Sequence, residues 1–272
     1  MTSKKTIFKR GSTTYYTTSL FFPKEIREDV YTLYAYVRTA DDYVDNIPQK
    51  KKEFYKLKKQ THEALKGKKI ENKIIQDFAE LAKKKKFRKT WIEAFLNAME
   101  QDLKKINFKT LKQTEKYIYG SAEVIGLFMA KIMNLEKKSY KKAMMLGKAM
   151  QYINFIRDIK EDQDRGRTYL PLNEAKQQGL KNLEIKTIQK KPKAFKEFMK
   201  QQLQRFYEYD KEARDGFKQI PRKYITLIKT AQDMYVWTAK KIEENPLIVI
   251  QKKVKPKKHT IITQIIKNQI RR

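Results

Sequence analysis

Two acidic segments limit what this chain can fold into. The first is Arg38-Thr39-Ala40-Asp41-Asp42-Tyr43-Val44-Asp45, and the second is Asn154-Phe155-Ile156-Arg157-Asp158-Ile159-Lys160-Glu161-Asp162. Each sets two aspartates four residues apart inside apolar sequence of helical period. At about 100° per residue, Tyr34, Arg38, Asp41 and Asp45 fall within about 60° on one helix face. Gln151, Asn154, Asp158 and Asp162 form a similar stripe. Four carboxylates on two facing helices repel one another unless a cation sits between them. The chain has no Cys and only His62 and His259, so soft ligands are nearly absent. An oxygen-only site suits Mg²⁺, with Mn²⁺ as an alternative, and Mg²⁺ commonly bridges carboxylates to substrate phosphates. The pattern points to chemistry on diphosphates.

With only 8 Gly and 7 Pro in 272 residues, strong breakers are few, and the pattern is helical throughout. A long amphipathic run from Glu25 to Asn46 starts just after Pro23. Further helical runs cover 50–66, 71–84, 89–105, 110–134, 138–163, 192–215 and 221–244. Thr168 to Gly179 holds Pro171 and Gly179, so the chain leaves the helix there. No convincing strand pair appears. The expectation is an all-α single domain with a substantial core. No stretch reaches eighteen apolar residues, which argues against a membrane-spanning helix. The N-terminus lacks an apolar signal core, so a cytoplasmic location is expected, with peripheral membrane contact as an addition. Zero Cys excludes a disulfide framework.

The net charge of +32 invites a nucleic-acid reading. Lys outnumbers Arg by 51 to 12, however, and the lysines are spread along the chain. No zinc-finger spacing, RRM-like aromatic motif or basic region joined to heptads is present. A lysine-rich solvated surface accounts for the charge, and no nucleic-acid partner is expected. The alternative from another class is a non-catalytic, basic helical nucleic-acid-binding protein. Attraction to anionic lipids and substrates is a further reading. The expected division is a catalytic unit over residues 1–250 and a basic amphipathic segment over 251–272. Lys252, Lys253, Lys255, Lys257 and Lys258 cluster there, and Ile261, Ile262, Ile265, Ile266 and Ile270 follow at helical spacing. Such a helix either lies on an anionic membrane or packs its Ile face onto the core.

Tyr34-Ala35-Tyr36-Val37-Arg38 through Asp45 resembles the first aspartate-rich motif of squalene and phytoene synthases. Gln151-Tyr152-Ile153-Asn154 through Asp162, with Arg165-Gly166-Arg167-Thr168-Tyr169-Leu170-Pro171, resembles the second. Gly11-Ser12-Thr13-Thr14-Tyr15-Tyr16 and Leu20-Phe21-Phe22-Pro23 are similar to the family's N-terminal segment, and Tyr117 through Gly126 to its central helix. The similarity runs from about Ser12 to about Pro246, and its pattern is closest to prokaryotic phytoene synthases. The resemblance implies the isoprenoid synthase fold, with helices around a central cavity. It also implies Mg²⁺-dependent head-to-head condensation of two prenyl diphosphates through a cyclopropyl diphosphate, with release of pyrophosphate. Two geranylgeranyl diphosphates giving phytoene is the favoured version. Two farnesyl diphosphates giving squalene or dehydrosqualene is the rival, and squalene formation would need NADPH. The oligomeric state does not follow from it.

On this resemblance the catalytic set is Tyr34, Arg38, Asp41, Asp45, Tyr117, Arg157, Asp158, Asp162 and Tyr235. Asp41, Asp45, Asp158, Asp162 and Asn154 are expected to hold the metal, while Asp42 lies off the stripe. Arg38 and Arg157 pair with phosphate oxygens, although Arg157 points away from the acidic stripe and a structural ion pair is its rival role. Gln151 and Asn154 bind diphosphate or its water. Arg165 and Arg167 flank Gly166 either as a flap over the diphosphate or simply as loop arginines. Ser12 and Tyr15 contact substrate. The tyrosines can steady a passing carbocation. Ala122, Ile125, Gly126 and Met129 suit an apolar cavity wall, with Gly126 admitting a prenyl chain. Glu123 stands where a small residue is expected, and if it faces the cavity it needs a partner. Gly11 stands where some relatives carry His.

Overall fold

The structure, a computed structural model, describes residues 3–270. Helix α1 (Lys4–Gly11) begins at Ser3, whose side chain accepts from the Thr6 N–H. Ser12 ends α1 and opens α2 (Thr13–Ser19), accepting from the Tyr15 N–H at 3.2 Å. Such caps satisfy amides that a helix start leaves unpaired. Pro23 then fixes the entry to α3 (Lys24–Asp45), which buries Ile26, Val30, Leu33 and Tyr36 along one side. Next come α4 (Lys51–Leu65), α5 (Lys73–Lys84) and α6 (Lys89–Gln101). A capping box between Thr110 and Gln113 starts α7 (Leu111–Ile118).

The run expected as one helix over 110–134 is interrupted. After α7 a π-helical turn spans Tyr119–Glu123, and α8 (Val124–Ile132) continues the same rod. The run over 138–163 also divides, into α9 (Tyr140–Arg157) and α10 (Ile159–Asp164), because Asp158 leaves helical geometry at φ −100° and ψ 18°. Short helices α11 (Leu172–Gln177) and α12 (Ile185–Lys190) lead into the long α13 (Pro192–Arg214) and α14 (Arg222–Glu244). The chain closes with α15 (Ile248–Gln251) and α16 (Lys258–Ile270).

Helix α9 lies at the centre and packs on α8, α13, α14 and the π turn, while α3 packs on α1, α4, α5, α6 and α8. Backbones approach closely at two glycines. A Cβ at Gly147 would stand 2.4 Å from the Ala122 carbonyl oxygen, and one at Gly126 would stand 2.2 Å from that of Ala143. Contrary to the expectation of no strand pair, β1 (Ile106–Asn107) and β2 (Arg167–Thr168) run parallel, with Ile106 opposite Arg167. Two residues are too few to show a period in sequence. The pair fixes the chain just beyond the second aspartate segment.

Helix α16 packs on α14 and α2. Ile261 and Ile265 are buried with Met234 beside Trp237, and Asn268 donates to Thr230 Oγ1 at 3.1 Å and Asp233 Oδ2 at 2.8 Å. One isoleucine face is therefore part of the bundle. Ile262, Ile266 and Ile270 stay outside, at 43%, 50% and 79% exposure. Arg271 and Arg272 lie outside the described residues. Among the described residues, no helix is long and apolar enough to cross a membrane.

Candidate active site

The last turns of α3 carry the first acidic segment. Arg38 forks between two carboxylates, donating to Asp41 Oδ2 at 3.0 Å and approaching Asp42 Oδ1 at 2.6 Å. Asp42, off the stripe in sequence, is thus tied to it through Arg38. Although 34% of the Asp41 side chain remains accessible, it lies deep among neighbours. That desolvation, with the Asp45 charge beside it, pushes its carboxyl up to about 7.

The second segment straddles the α9–α10 break. Arg157 grips Asp158 bidentately, at 2.8 Å from Nε and 2.5 Å from Nη2. Arg157 therefore pairs within its own segment rather than with a neighbouring helix. Burial raises the Asp158 carboxyl, but the Arg157 hydrogen bonds and charge, helped by Lys253, outweigh it and hold the group below its usual range. Among the described residues Asp162 has no arginine bound to it in this way, although the Arg165 and Arg167 charges act on it from farther off. Burial and the Asp158 charge push it well above the usual carboxylate range, and Asp45 adds to this across the two segments. The two acidic stripes thus feel each other electrostatically. Asn154 Nδ2 donates weakly to Gln151 Oε1 at 3.4 Å, while the Asn154 Oδ1 is buried with no partner among the described residues.

Two features were not visible in sequence. Lys253, from the segment after α15, reaches back to Asp158 Oδ1 at 3.4 Å and also pairs with Glu161. The C-terminal lysine cluster thus contributes a cation to this site. The second feature is Asp102, 2% exposed at the C-terminus of α6. Its Oδ2 accepts from the Tyr117 hydroxyl at 2.6 Å and its Oδ1 from the Tyr169 hydroxyl at 2.7 Å. Its carbonyl oxygen accepts from Arg167 Nη2 at 2.9 Å and Gln49 Nε2 at 2.6 Å. A lone acid at a helix end offers no spacing from which to read such a role.

Arg167 is not a mobile flap. It is 3% exposed and donates to Asp45 Oδ1 at 2.5 Å and to the Val44 carbonyl at 2.6 Å. Arg165 is more open, donating to the carbonyls of Asp45 at 3.3 Å and Glu161 at 3.1 Å. Arg165 bridges the two acidic segments, and Arg167 ties the chain just beyond the second one to the end of the first.

The tyrosines gather on the inner side. Tyr15 and Tyr235 share a hydrogen bond of 2.7 Å between their hydroxyls, and Tyr15 also donates to Met150 Sδ at 3.3 Å. Tyr34 stacks on Phe8 with centroids 3.9 Å apart. A Cβ at Gly11 would stand 2.3 Å from the Tyr34 hydroxyl, so Gly11 makes room for that phenol. Ser12 is committed to its cap. Gly126 meets the α9 backbone, so its missing side chain serves helix packing rather than admission of a prenyl chain. Ala122 is buried beside Gly147, while Ile125 and Met129 are half-buried against the core. Glu123 finds its partner in Lys148 at 3.2 Å, and Lys148 also approaches Glu115 at 3.4 Å. Tyr209 of α13 donates to Glu115 at 2.8 Å. This cluster lies along the α7–α9–α13 seam, which is where Glu123 points.

The donor set suits a hard divalent cation: Asp41, Asp45, Asp158 and Asp162, with the unpartnered Asn154 oxygen, are all oxygen ligands. Among the described residues, no three carboxylates or imidazoles converge into a formed metal cluster. Arg38, Arg157, Arg167 and Lys253 share the neutralising charge instead.

The chain matches the squalene/phytoene synthase family model over residues 8–260. It is 27% identical over 246 residues to the 15-cis-phytoene synthase of Pantoea ananas, covering 86% of this chain and 79% of that one. It is 32% identical over 174 residues to the phytoene synthase of Thermus thermophilus, covering 61% and 57%. Among solved structures, a dehydrosqualene synthase in complex with ligand superposes with a TM-score of 0.80 at 20% identity, covering 98% and 94%. A squalene synthase from Alicyclobacillus acidocaldarius superposes with a TM-score of 0.79 at 17% identity, covering 89% and 92%. These structural likenesses establish the terpenoid synthase fold.

Proposed function

The chain belongs to the squalene/phytoene synthase family and is a prenyltransferase of that type, and we propose that it joins two geranylgeranyl diphosphates head to head into phytoene. The observation that carries this reading is the pair of acidic segments held together by Arg165, which reaches Asp45 and Glu161, and by Arg167 on Asp45, and the choice of phytoene is supported by relatives that are phytoene synthases. Such an array suits a polyanion delivered with cations. Asp41, Asp45, Asp158, Asp162 and Asn154 would hold Mg²⁺, which when bound draws charge from the departing diphosphate. Arg38, Arg157 and Lys253 exchange their carboxylate partners for phosphate oxygens. Diphosphate leaves one substrate, and the double bond of the second attacks the resulting allylic cation. Proton loss gives a cyclopropyl diphosphate, whose diphosphate then leaves, and the resulting cation rearranges and loses a second proton to give the linear product. Tyr15, Tyr34 and Tyr235 present oxygens and ring faces to the cation, and the packed helices exclude the water that would quench it.

Incubation with Mg²⁺ and either geranylgeranyl or farnesyl diphosphate, followed by product identification, tests the assignment. Phytoene from the C20 substrate supports it. Dehydrosqualene, or squalene formed only with NADPH, from the C15 substrate replaces the substrate assignment. No hydrocarbon from either overturns the reading.

A long hydrocarbon product needs an apolar sink, and we propose peripheral binding to anionic bilayers. Exposed Ile262, Ile266 and Ile270 supply apolar contact, and no acidic residue follows Glu244.

A further inference from the structure

We propose that Asp102 is a positioning residue that aims the phenol of Tyr117 so that its oxygen lone pairs, and not its hydrogen, face the reacting prenyl chains. The inference rests on the prenyltransferase reading above and adds a residue that belongs to neither aspartate segment. Asp102 performs two separable tasks. Its backbone carbonyl receives Arg167 Nη2 and Gln49 Nε2, and both of these side chains also donate to the Val44 carbonyl. That part of the frame holds the end of α3 in place and is indifferent to the side chain at position 102. The carboxylate performs the second task. It takes one hydroxyl hydrogen from Tyr117 and one from Tyr169, at 2.6 and 2.7 Å. Both phenols are buried, at 4% and 5% exposure, and their rings lean on each other and on Phe155. The packed rings confine the Tyr117 hydroxyl to the Asp102 carboxylate and, beside it, the Tyr169 oxygen.

A hydroxyl carries its partial positive charge on hydrogen and its partial negative charge on oxygen. With its hydrogen committed to Asp102, Tyr117 can offer only negative charge to a carbocation. Were the hydrogen free, the same phenol would oppose the cation and could donate a proton to it. Preorganised dipoles of this kind act most strongly in dry sites, and their fixed orientation costs no rearrangement during reaction. Asp102 also lies within electrostatic reach of Asp41 and Asp45, which places the pair beneath the first aspartate segment.

Asp102→Asn keeps the volume and the backbone contacts. It replaces one carboxylate oxygen with an amide that donates, so one phenol must turn to accept. Asp102→Asn, Tyr117→Phe and the double variant are compared by steady-state kinetics with Mg²⁺ and the active prenyl diphosphate, alongside melting temperature and calorimetric titration of Mg²⁺-pyrophosphate. We expect kcat of Asp102→Asn to fall about 100-fold, as when one preorganised dipole is lost. KM and pyrophosphate affinity should stay within about threefold, because both aspartate segments are intact, and the double variant should be no slower than Tyr117→Phe alone. Unchanged kcat with only a lower melting temperature would make Asp102 purely structural and overturn the proposal. Losses that multiply in the double variant would show Asp102 acting without Tyr117, and would overturn it equally. Wild-type protein that binds Mg²⁺-pyrophosphate but forms no hydrocarbon would instead count against the reaction assigned above.

Discussion

Arg167 Nη1 donates to Asp45 Oδ1 at 2.5 Å across 122 residues of chain, joining the end of the first aspartate segment to the strand that follows the second. The same guanidinium holds the Val44 and Asp102 carbonyls and touches the Tyr169 hydroxyl at 3.3 Å. Removing it strands several acceptors. We expect Arg167→Ala to destabilise the fold by about 3 kcal/mol, in the range for breaking a buried ion pair. Urea denaturation checks this, and a midpoint equal to wild type would show that the bridge is dispensable.

Asp41→Ala and Asp158→Ala should each abolish turnover while the circular dichroism spectrum stays helical. Neither carboxylate supports the core, since their partners are the site arginines and Lys253. EDTA should silence the wild-type enzyme, and excess Mg²⁺ should restore it. Near-normal activity in either variant, or in exhaustively chelated enzyme, contradicts the proposed metal role.

Four carboxyls, three of them at the site and the fourth Glu123, bind protons more tightly in the folded state than unfolded. Asp41 is pushed up to about 7 and Asp102 to about 6, chiefly by burial, and Asp162 is raised well above the usual range. Across this window the native state holds more protons than the unfolded chain, so stability falls as pH rises. In EDTA, the melting temperature should drop between pH 5 and pH 7.5, and Mg²⁺ should reduce the drop by compensating the ionised carboxylates. A metal-free melting temperature that climbs over that range has the opposite sign.

Gly126→Ala separates two readings of that glycine. A Cβ 2.2 Å from the Ala143 carbonyl must force α8 and α9 apart, at a cost of about 1–3 kcal/mol. If Gly126 were a cavity wall, the variant would keep its stability and change only the product. Thermal melting with product analysis distinguishes them.

Truncation after Gln251 is a poor test of membrane binding, because it also removes Lys253 from Asp158 and Asn268 from Thr230 and Asp233. Replacing Ile262, Ile266 and Ile270 together with Ser leaves those contacts in place. We expect wild type to float with anionic vesicles at low salt and this variant to float less. Equal flotation, or none by wild type, removes α16 from membrane docking.

The two aspartate stripes and most long helices were legible in the sequence because helical period is local. Residues four apart share a face wherever the helix goes, so Asp41 with Asp45 and Asn154 with Asp158 could be read without coordinates. The lone acid Asp102 could not be, since its partners Tyr117 and Tyr169 lie 15 and 67 residues away. Glu123 looked like a conflict until Lys148 came to meet it, and Gly126 looked like a pocket until α9 filled the space. The tail supported two readings because its isoleucines form two adjacent stripes. Only docking on α14 buried Ile261 and Ile265 and left Ile262, Ile266 and Ile270 outside. Periodicity tells which side chains face inward, whereas long-range packing decides what they meet there and so which of them are spent on structure.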